Sequence, residues 1–248
     1  MVDLYIGGIV KETALLFDLD ETLIRCNEYY VDTKRKFATM ACQRTGISQD
    51  IALSILKTID AESIKIDGFG KSRFPKSFSA ASVAIDVLMG RTPSTTHAKK
   101  AWSLGNSVFT AKYPLYPGAW DALTKIKELG YNMFLCTKGD PRVQMKKIIK
   151  NKLNKIFPDG HIYIDVFKNE THFSKILKEH HLNKSKTIVI GDNLIDDIKS
   201  AEKLKLRSIL VSNEQTNNEI GEEEKNKSTW QIENIADLPK LLDDLHLD

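Results

Sequence analysis

Short apolar runs alternate with amphipathic stretches through the second half of the chain, and this alternation limits the possible folds more than any other feature. The apolar runs occupy residues 131–137, 161–167, 186–192 and 207–212, and a similar run lies earlier at 14–20. Helical patterns of apolar residues lie at 118–130, 141–153, 171–182 and 195–206. Strands that alternate with helices in this way form βαβ units. The sequence therefore predicts an α/β fold with a Rossmann-like parallel sheet.

Residues 25–113 interrupt this alternation. They contain helical patterns and no convincing strand, at 31–46, 48–65, 75–90 and 94–113. A block of this size is large enough for a small domain of its own. We therefore expect residues 1–24 and 114–248 to form the α/β core, with 25–113 inserted as a helical domain. The polar stretch 213–228 has no apolar periodicity and is expected to form a surface loop or a weak helix.

Charge and cysteine content narrow the class of protein. The net charge of +3 comes from lysines spread along the whole chain, which does not favour binding to a nucleic acid polymer but suits small anionic substrates. The three cysteines form no CxxC pair, so we expect reduced thiols in a cytoplasmic protein. The N-terminal residues lack the pattern of a signal peptide, and no apolar stretch is long enough for a membrane span. The oligomeric state is left open.

Polar side chains follow the predicted strands at the points where the strands end. Asp18, Asp20 and Thr22 follow the first strand, and the remaining strand ends carry Thr137-Lys138-Gly139-Asp140, Lys168 and Gly191-Asp192-Asn193. Ligands of parallel α/β sheets bind outside the carboxyl ends of the strands. Carboxylate oxygens suit Mg²⁺, and lysine, hydroxyl and helix-terminal N–H groups suit a phosphoryl group.

These motifs together resemble the haloacid dehalogenase superfamily. The chain has FDLDET, then LCTKGD, then Lys168, then IGDNLIDD, in the order of that family's four motifs. The helical block at 25–113 resembles the type 1 cap domain, which the family inserts just after its first motif. The resemblance thus spans the chain, and four ordered motifs are far more specific than a lone pair of aspartates.

The resemblance implies roles for the acidic residues. Asp18 would be the nucleophile that forms an aspartyl-phosphate, and Asp20 would be the general acid and base. Mg²⁺ would be held by the Asp18 and Asp192 side chains and by the backbone carbonyl of Asp20. Thr22 would position Asp20.

The resemblance also implies a phosphate-binding set. Thr137, Lys138 and Lys168 would bind the phosphoryl oxygens that are not transferred. Lys175 and Lys178 compete with Lys168 for the lysine role, but Lys168 is favoured because it follows the strand directly. In the helical block, the basic residues that could reach the leaving group are Lys71 and Arg73, although basic loop residues are as often only solvated.

The fourth motif leaves one choice open. Asp197 would support the metal or orient Lys168, and Asp196 competes for that role because family spacings vary by one residue. Asn193 accompanies them next to Asp192.

The expected function is a Mg²⁺-dependent phosphatase that acts on a small phosphorylated metabolite. Asp20 argues against a dehalogenase, because a halide leaving group needs no proton. A phosphomutase shares Asp18 and Asp20, and a non-catalytic binding protein would be expected to have lost at least one motif. The sequence does not name the substrate.

Overall fold

The computed structural model describes residues 11–212 and 228–246. The described residues form a six-stranded sheet in the order β3-β2-β1-β4-β5-β6, with parallel pairing. Its strands are β1 Ala14–Phe17, β2 Asn132–Lys138, β3 Ile162–Asp165, β4 Thr187–Gly191, β5 Arg207–Val211 and β6 Trp230–Ile232. The prediction of an α/β fold with a parallel Rossmann-like sheet is confirmed.

The helices between the strands follow local sequence signals. They are α5 Ala119–Glu128, α6 Pro141–Lys150, α7 Glu170–Glu179, the short α8 Ser200–Lys203 and the C-terminal α9 Leu238–Asp244. Asp140 accepts the backbone N–H groups of Arg142 at 3.0 Å and Val143 at 3.3 Å, and Pro141 begins α6. Asn169 caps α7 in the same way.

The helical block has its own core. Its helices are α1 Asn27–Thr45, α2 Gln49–Asp67, α3 Arg73–Leu88 and α4 Thr95–Ser107. Phe37 and Phe78 are fully buried at its centre, with ring centroids 5.2 Å apart, and Phe74 lies 4.8 Å from Phe78. Apolar side chains from all four helices complete this cluster, so the block buries a hydrophobic core without help from the sheet.

The chain divides into two compact units, a sheet unit and a helical unit. The sheet unit comprises the described residues up to Arg25, Pro114–Thr137 and those from Lys146 onward. The helical unit comprises Cys26–Tyr113 and Lys138–Met145. None of the described helices combines the length and the low charge that crossing a membrane requires. All three cysteines are free. Most of the stretch 213–228, expected above to be a surface loop or weak helix, lies outside the described residues, as do the first ten residues of the chain.

The strand order reverses around β1, so the carboxyl end of β1 lies at the switch point of the sheet. β1 pairs with β2 on one side and β4 on the other, so the connections leave in opposite directions. After β1 the chain makes a tight turn in which Leu23 and Ile24 both donate N–H bonds to the Leu19 carbonyl at 2.9 Å. Glu21 adopts a φ of 62° within this turn. The turn keeps Asp18 and Asp20 at the edge of the sheet.

Candidate active site

Three carboxylates converge at the carboxyl edge of the sheet. Asp18, Asp192 and Asp197 each offer an oxygen atom, and these oxygens all lie within 4.8 Å of one another. Asp18 follows β1 and its backbone N–H bonds to the Ile190 carbonyl at 2.8 Å, so it stays in register with β4. Asp192 directly follows β4. The fold therefore joins residues that are more than 170 positions apart in the chain.

Lys168 lies between two of these acids. Its Nζ donates to Asp18 Oδ1 at 2.6 Å and forms an ion pair with the carboxylate of Asp197. The lysine is 5% exposed, and its ring neighbour is Phe173, whose centroid lies 5.6 Å from Nζ. A buried ammonium needs such partners, because losing water without them is costly.

The charge balance of this group fits a further cation. Three carboxylates face one ammonium, and the donor atoms are hard oxygens of the kind that bind divalent cations with oxygen preference. Burial raises the pKa of Asp18 to about 7, with Lys168 opposing the rise and Asp197 adding to it. Burial likewise raises the pKa of Asp192 well above its ordinary value, and the charge of Asp18 adds to that. The cluster therefore resists carrying its full negative charge until positive charge is supplied.

The pKa of Lys168 is raised as well, but by neighbouring charge and not by burial. Burial opposes its charge, but the carboxylates of Asp18 and Asp197 outweigh burial and hold the pKa above its ordinary value. The side chain is therefore a permanent ammonium at neutral pH. A permanent charge at this point suits the binding of an anionic oxygen.

Asp197 is held by an unusual helix. Residues Leu194–Lys199 form a π-helix, where the sequence predicted an ordinary helix over 195–206. Asn193 caps it by accepting the N–H groups of Ile195 and Asp196, and the Asn193 N–H donates to Asp197 Oδ2 at 3.1 Å. Asp197 is fully buried, while Asp196 is half-buried. The sequence left open whether Asp196 or Asp197 orients Lys168, and in the structure it is Asp197 that pairs with Lys168.

Thr22 takes a position different from the one expected. Its hydroxyl donates to Asp192 Oδ1 at 3.2 Å, so it orients that carboxylate and not Asp20. The side chain is fully buried. Hydroxyl support of this kind fixes the direction in which a carboxylate presents its second oxygen.

The second predicted motif lies at the end of β2. Thr137 is buried there, one residue before the strand ends. Burial raises the pKa of the neighbouring Cys136 thiol, so this cysteine remains protonated and packs as an apolar side chain. Lys138 Nζ lies 4.5 Å from the centroid of Phe69, and both residues belong to the helical unit.

The two basic residues proposed from the helical block differ in exposure. Lys71 is exposed, and its backbone N–H bonds to Asp140 Oδ2 at 3.4 Å. Arg73 is 6% exposed and forms an ion pair with Asp60 inside the helical unit. Arg73 is the first residue of α3, so this helix begins two residues before the helical pattern at 75–90 indicated.

Lys147 lies outside the four motifs. This residue of α6 donates to both carboxylate oxygens of Asp20, at 2.9 Å and 2.8 Å, and is 5% exposed. A signal was present in the sequence, since Lys147 falls on the same helical stripe as Val143 and beside Ile148, where a solvated lysine is not expected. A lysine on an apolar stripe points to a buried partner of opposite charge.

Comparison with known proteins agrees with this geometry. A family model described as haloacid dehalogenase-like hydrolase matches residues 12–205, which is most of the chain and includes every acid of the site. The chain belongs to this hydrolase family. The resemblance drawn from the four motifs is thereby confirmed, and the protein is an enzyme of the hydrolase class.

Individual relatives of this hydrolase are distant. A glyceraldehyde 3-phosphate phosphatase from Pyrococcus abyssi is 25% identical over 79% of this chain and 79% of its own length. The protein of the same name from Pyrococcus furiosus is 28% identical, over 79% of this chain and 78% of its own. A crystal structure of a haloacid dehalogenase-like hydrolase from Xanthomonas campestris superposes with a TM-score of 0.76 at 19% identity, covering 97% of this chain and 93% of that one. The last likeness supports the fold.

Proposed function

We propose that this hydrolase is a Mg²⁺-dependent phosphatase that acts on a small phosphorylated metabolite through an aspartyl-phosphate. The observation that carries the proposal is the convergence of Asp18, Asp192 and Asp197, of which Asp18 and Asp197 are paired with the buried Lys168. Carboxylates and an ammonium in this arrangement can hold a cation and a phosphoryl group side by side. The phosphatases named among the relatives support the same reaction class.

In the first step, an oxygen of Asp18 attacks phosphorus and the bond from phosphorus to the ester oxygen breaks. Asp20 gives its proton to the departing alkoxide, so an alcohol leaves and Asp20 becomes a carboxylate. The product on the protein is an acyl phosphate on Asp18.

In the second step, water attacks the phosphorus of the aspartyl-phosphate and passes a proton to Asp20. The bond between phosphorus and the Asp18 oxygen breaks, inorganic phosphate leaves, and both aspartates return to their starting states. Atoms and protons balance over the two steps, which sum to hydrolysis of one ester bond.

Mg²⁺ would be held by the Asp18 and Asp192 side chains and the Asp20 carbonyl, and when bound it supplies positive charge that offsets repulsion between carboxylate and phosphate. The acids present fit this ion, because they are clustered oxygen donors, two buried and one half-buried, with an excess of negative charge. Lys168, Thr137 and Lys138 would hold the phosphoryl oxygens that are not transferred.

We further propose that residues 25–113 serve as the cap domain and select the substrate. Lys71 is the better candidate there for contacting an anionic leaving group, since Arg73 is already paired with Asp60. The relatives named above direct the choice of substrate class to triose phosphates. The free cysteines support action in the cytoplasm.

The test is release of inorganic phosphate from a panel of phosphate esters that includes glyceraldehyde 3-phosphate, other sugar phosphates and nucleoside monophosphates. We expect activity with Mg²⁺, loss on adding EDTA, and loss in Asp18→Asn. Equal rates for wild type and Asp18→Asn would overturn the proposal. Transfer of phosphate to a second sugar phosphate, without release of inorganic phosphate, would identify a mutase instead.

A further inference from the structure

We propose that Lys147 is a positioning residue that holds Asp20 ready for proton transfer, an inference that rests on the proposed phosphatase function. Its Nζ lies 2.9 Å from Asp20 Oδ1 and 2.8 Å from Oδ2, so one ammonium holds both oxygens of the carboxylate. The two residues are 127 positions apart, and only the fold brings them together.

The burial of Lys147 makes this contact more than an incidental surface pair. The lysine side chain is 5% exposed, and the Asp20 side chain is 29% exposed. Exposed pairs contribute little because water competes for both charges, whereas a buried ammonium is tied to its partner. The neighbouring Lys146 on the same helix is exposed, so burial at position 147 follows from the face of α6 and not from local composition.

The place of Asp20 in the chain shows what the contact with Lys147 can do. It follows β1 in the tight turn, next to Glu21 with its positive φ. With 29% of its side chain exposed, the carboxylate has room to rotate towards water if nothing holds it. Two hydrogen bonds from one donor fix the rotation of the whole carboxylate group, and proton transfer requires placement within hydrogen-bond distance of the reacting oxygen.

The contact also leaves Asp20 able to react. Each carboxylate oxygen has two lone pairs, so an oxygen that accepts from the ammonium can still accept from a second donor. Holding the carboxylate in this way does not by itself prevent proton exchange with a leaving oxygen or a water molecule.

The kinetic test compares Lys147→Met, Lys147→Arg and the matched control Lys146→Met. For an alkyl phosphate that the wild type hydrolyses, we expect Lys147→Met to lower kcat roughly 100-fold with KM changed by less than about threefold. Lys147→Arg should restore part of the loss, and Lys146→Met should behave as wild type. A fall in kcat and a rise in KM of similar size in Lys147→Met would overturn the inference.

A nitrophenyl phosphate separates positioning from general damage. Nitrophenolate leaves without a proton, so the first turnover of Lys147→Met should keep its rate and appear as a burst of nitrophenol. Later turnovers should slow, because hydrolysis of the aspartyl-phosphate still needs Asp20 as a base. Asp20→Asn should show the same burst, and the double variant should be no slower than either single variant. A merely structural role would slow the first turnover as well and would contradict the proposal.

Thermal unfolding tests the pair without catalysis. The four proteins compared are the wild type, Lys147→Met, Asp20→Asn and the double variant. If Lys147 and Asp20 interact as described, the shifts in Tm for the two single variants should not add in the double variant. Additive shifts would overturn the pairing. If the wild type hydrolyses no ester with Mg²⁺, the proposed function falls and this inference with it. If the wild type is active and Lys147→Met matches Lys146→Met, only this inference fails.

Discussion

The Gly191 backbone packs directly against the carboxylate of Asp197. A Cβ atom at position 191 would lie 2.8 Å from Asp197 Cβ and would overlap the carboxylate itself. The same carboxylate accepts the Asn193 N–H at 3.1 Å. The end of β4 therefore packs closely against Asp197, the acid that pairs with Lys168. This close packing is possible because residue 191 has no side chain.

Gly191→Ala tests this packing. The added methyl group must displace Asp197 or the end of β4, and we expect the free energy of unfolding to fall by about 1–3 kcal/mol, together with a loss of most hydrolytic activity. Denaturant unfolding and phosphate release measure the two effects. Gly70→Ala is the control, since its Cβ would meet only the Asp67 carbonyl oxygen at an ordinary 3.6 Å. A variant at 191 that is as stable and active as the control would contradict the packing argument.

The sequence was sufficient to predict features that depend on short-range patterns. The apolar runs correctly located the first five strands, and residues such as Asp18 and Asp192 could be assigned to one edge because parallel strands share a direction. The strand β6 was not predicted, because its three residues become a strand only by pairing with β5. Such pairing depends on contacts far apart in the chain, which local patterns do not carry.

The side-chain partners were predicted less completely. The apolar stripe of α6 indicates that Lys147 is buried, but its partner Asp20 lies on another element and local patterns do not identify it. The ordinary helix predicted after Asp192 is a π-helix at Leu194–Lys199, since Asp197 is drawn inward to Lys168 while Asn193 caps the turn. π-Helical turns of this kind are frequent at functional sites, and apolar periodicity does not reveal them.

Asp197→Asn should separate the two acids that the sequence could not distinguish. It removes a charge from a fully buried ion pair with Lys168, so the lysine loses one of its two anchors. We expect activity to fall roughly 10- to 100-fold. Asp196→Asn should change it less than about threefold, because that side chain is half-buried beside the site. Both effects are measured as the rate of phosphate release at increasing Mg²⁺ concentration. A larger loss in Asp196→Asn than in Asp197→Asn would assign the role to Asp196 instead.

Thr22→Val should weaken the proposed metal site without changing its charge. Valine keeps the volume but removes the hydroxyl that donates to Asp192 Oδ1. We expect the Mg²⁺ concentration for half-maximal activity to rise roughly 10- to 100-fold, since supporting contacts of ligands contribute at this level. Thr22→Ser keeps the hydroxyl and should stay near the wild-type value. An unchanged requirement in Thr22→Val would show that Asp192 needs no such support.

Arg73→Met should act on the stability of the helical unit. The guanidinium forms a buried ion pair with Asp60, and removal of one partner leaves the other charge buried alone. The free energy of unfolding should fall by about 3–5 kcal/mol. Lys71→Met, at an exposed site two residues away, should leave it within about 0.5 kcal/mol. If Arg73→Met unfolds like wild type but raises KM for the phosphate ester, Arg73 would instead be a substrate-binding residue.

The pH dependence of stability in the metal-free protein follows from the raised pKa of Asp18. In the folded chain, burial raises this pKa to about 7, whereas the unfolded chain releases the proton near the ordinary value of 3.8. Between these two values the unfolded state is the more ionised, so the contribution of Asp18 to stability is complete below about pH 4 and is lost as the pH rises to 7. The loss should amount to a few kcal/mol at most.

Unfolding in EDTA at several pH values measures this effect as the difference in stability between wild type and Asp18→Asn. From pH 4 to pH 7 the wild type should lose stability relative to Asp18→Asn. Above pH 7 the difference should level off, because Asp18 is then ionised in both the folded and the unfolded state. Added Mg²⁺ should reverse the trend in wild type alone, since an ion that binds the folded carboxylates stabilises them by mass action. A difference that stays constant over this range would show that Asp18 is ionised at low pH even without the metal, and that Lys168 alone offsets its burial.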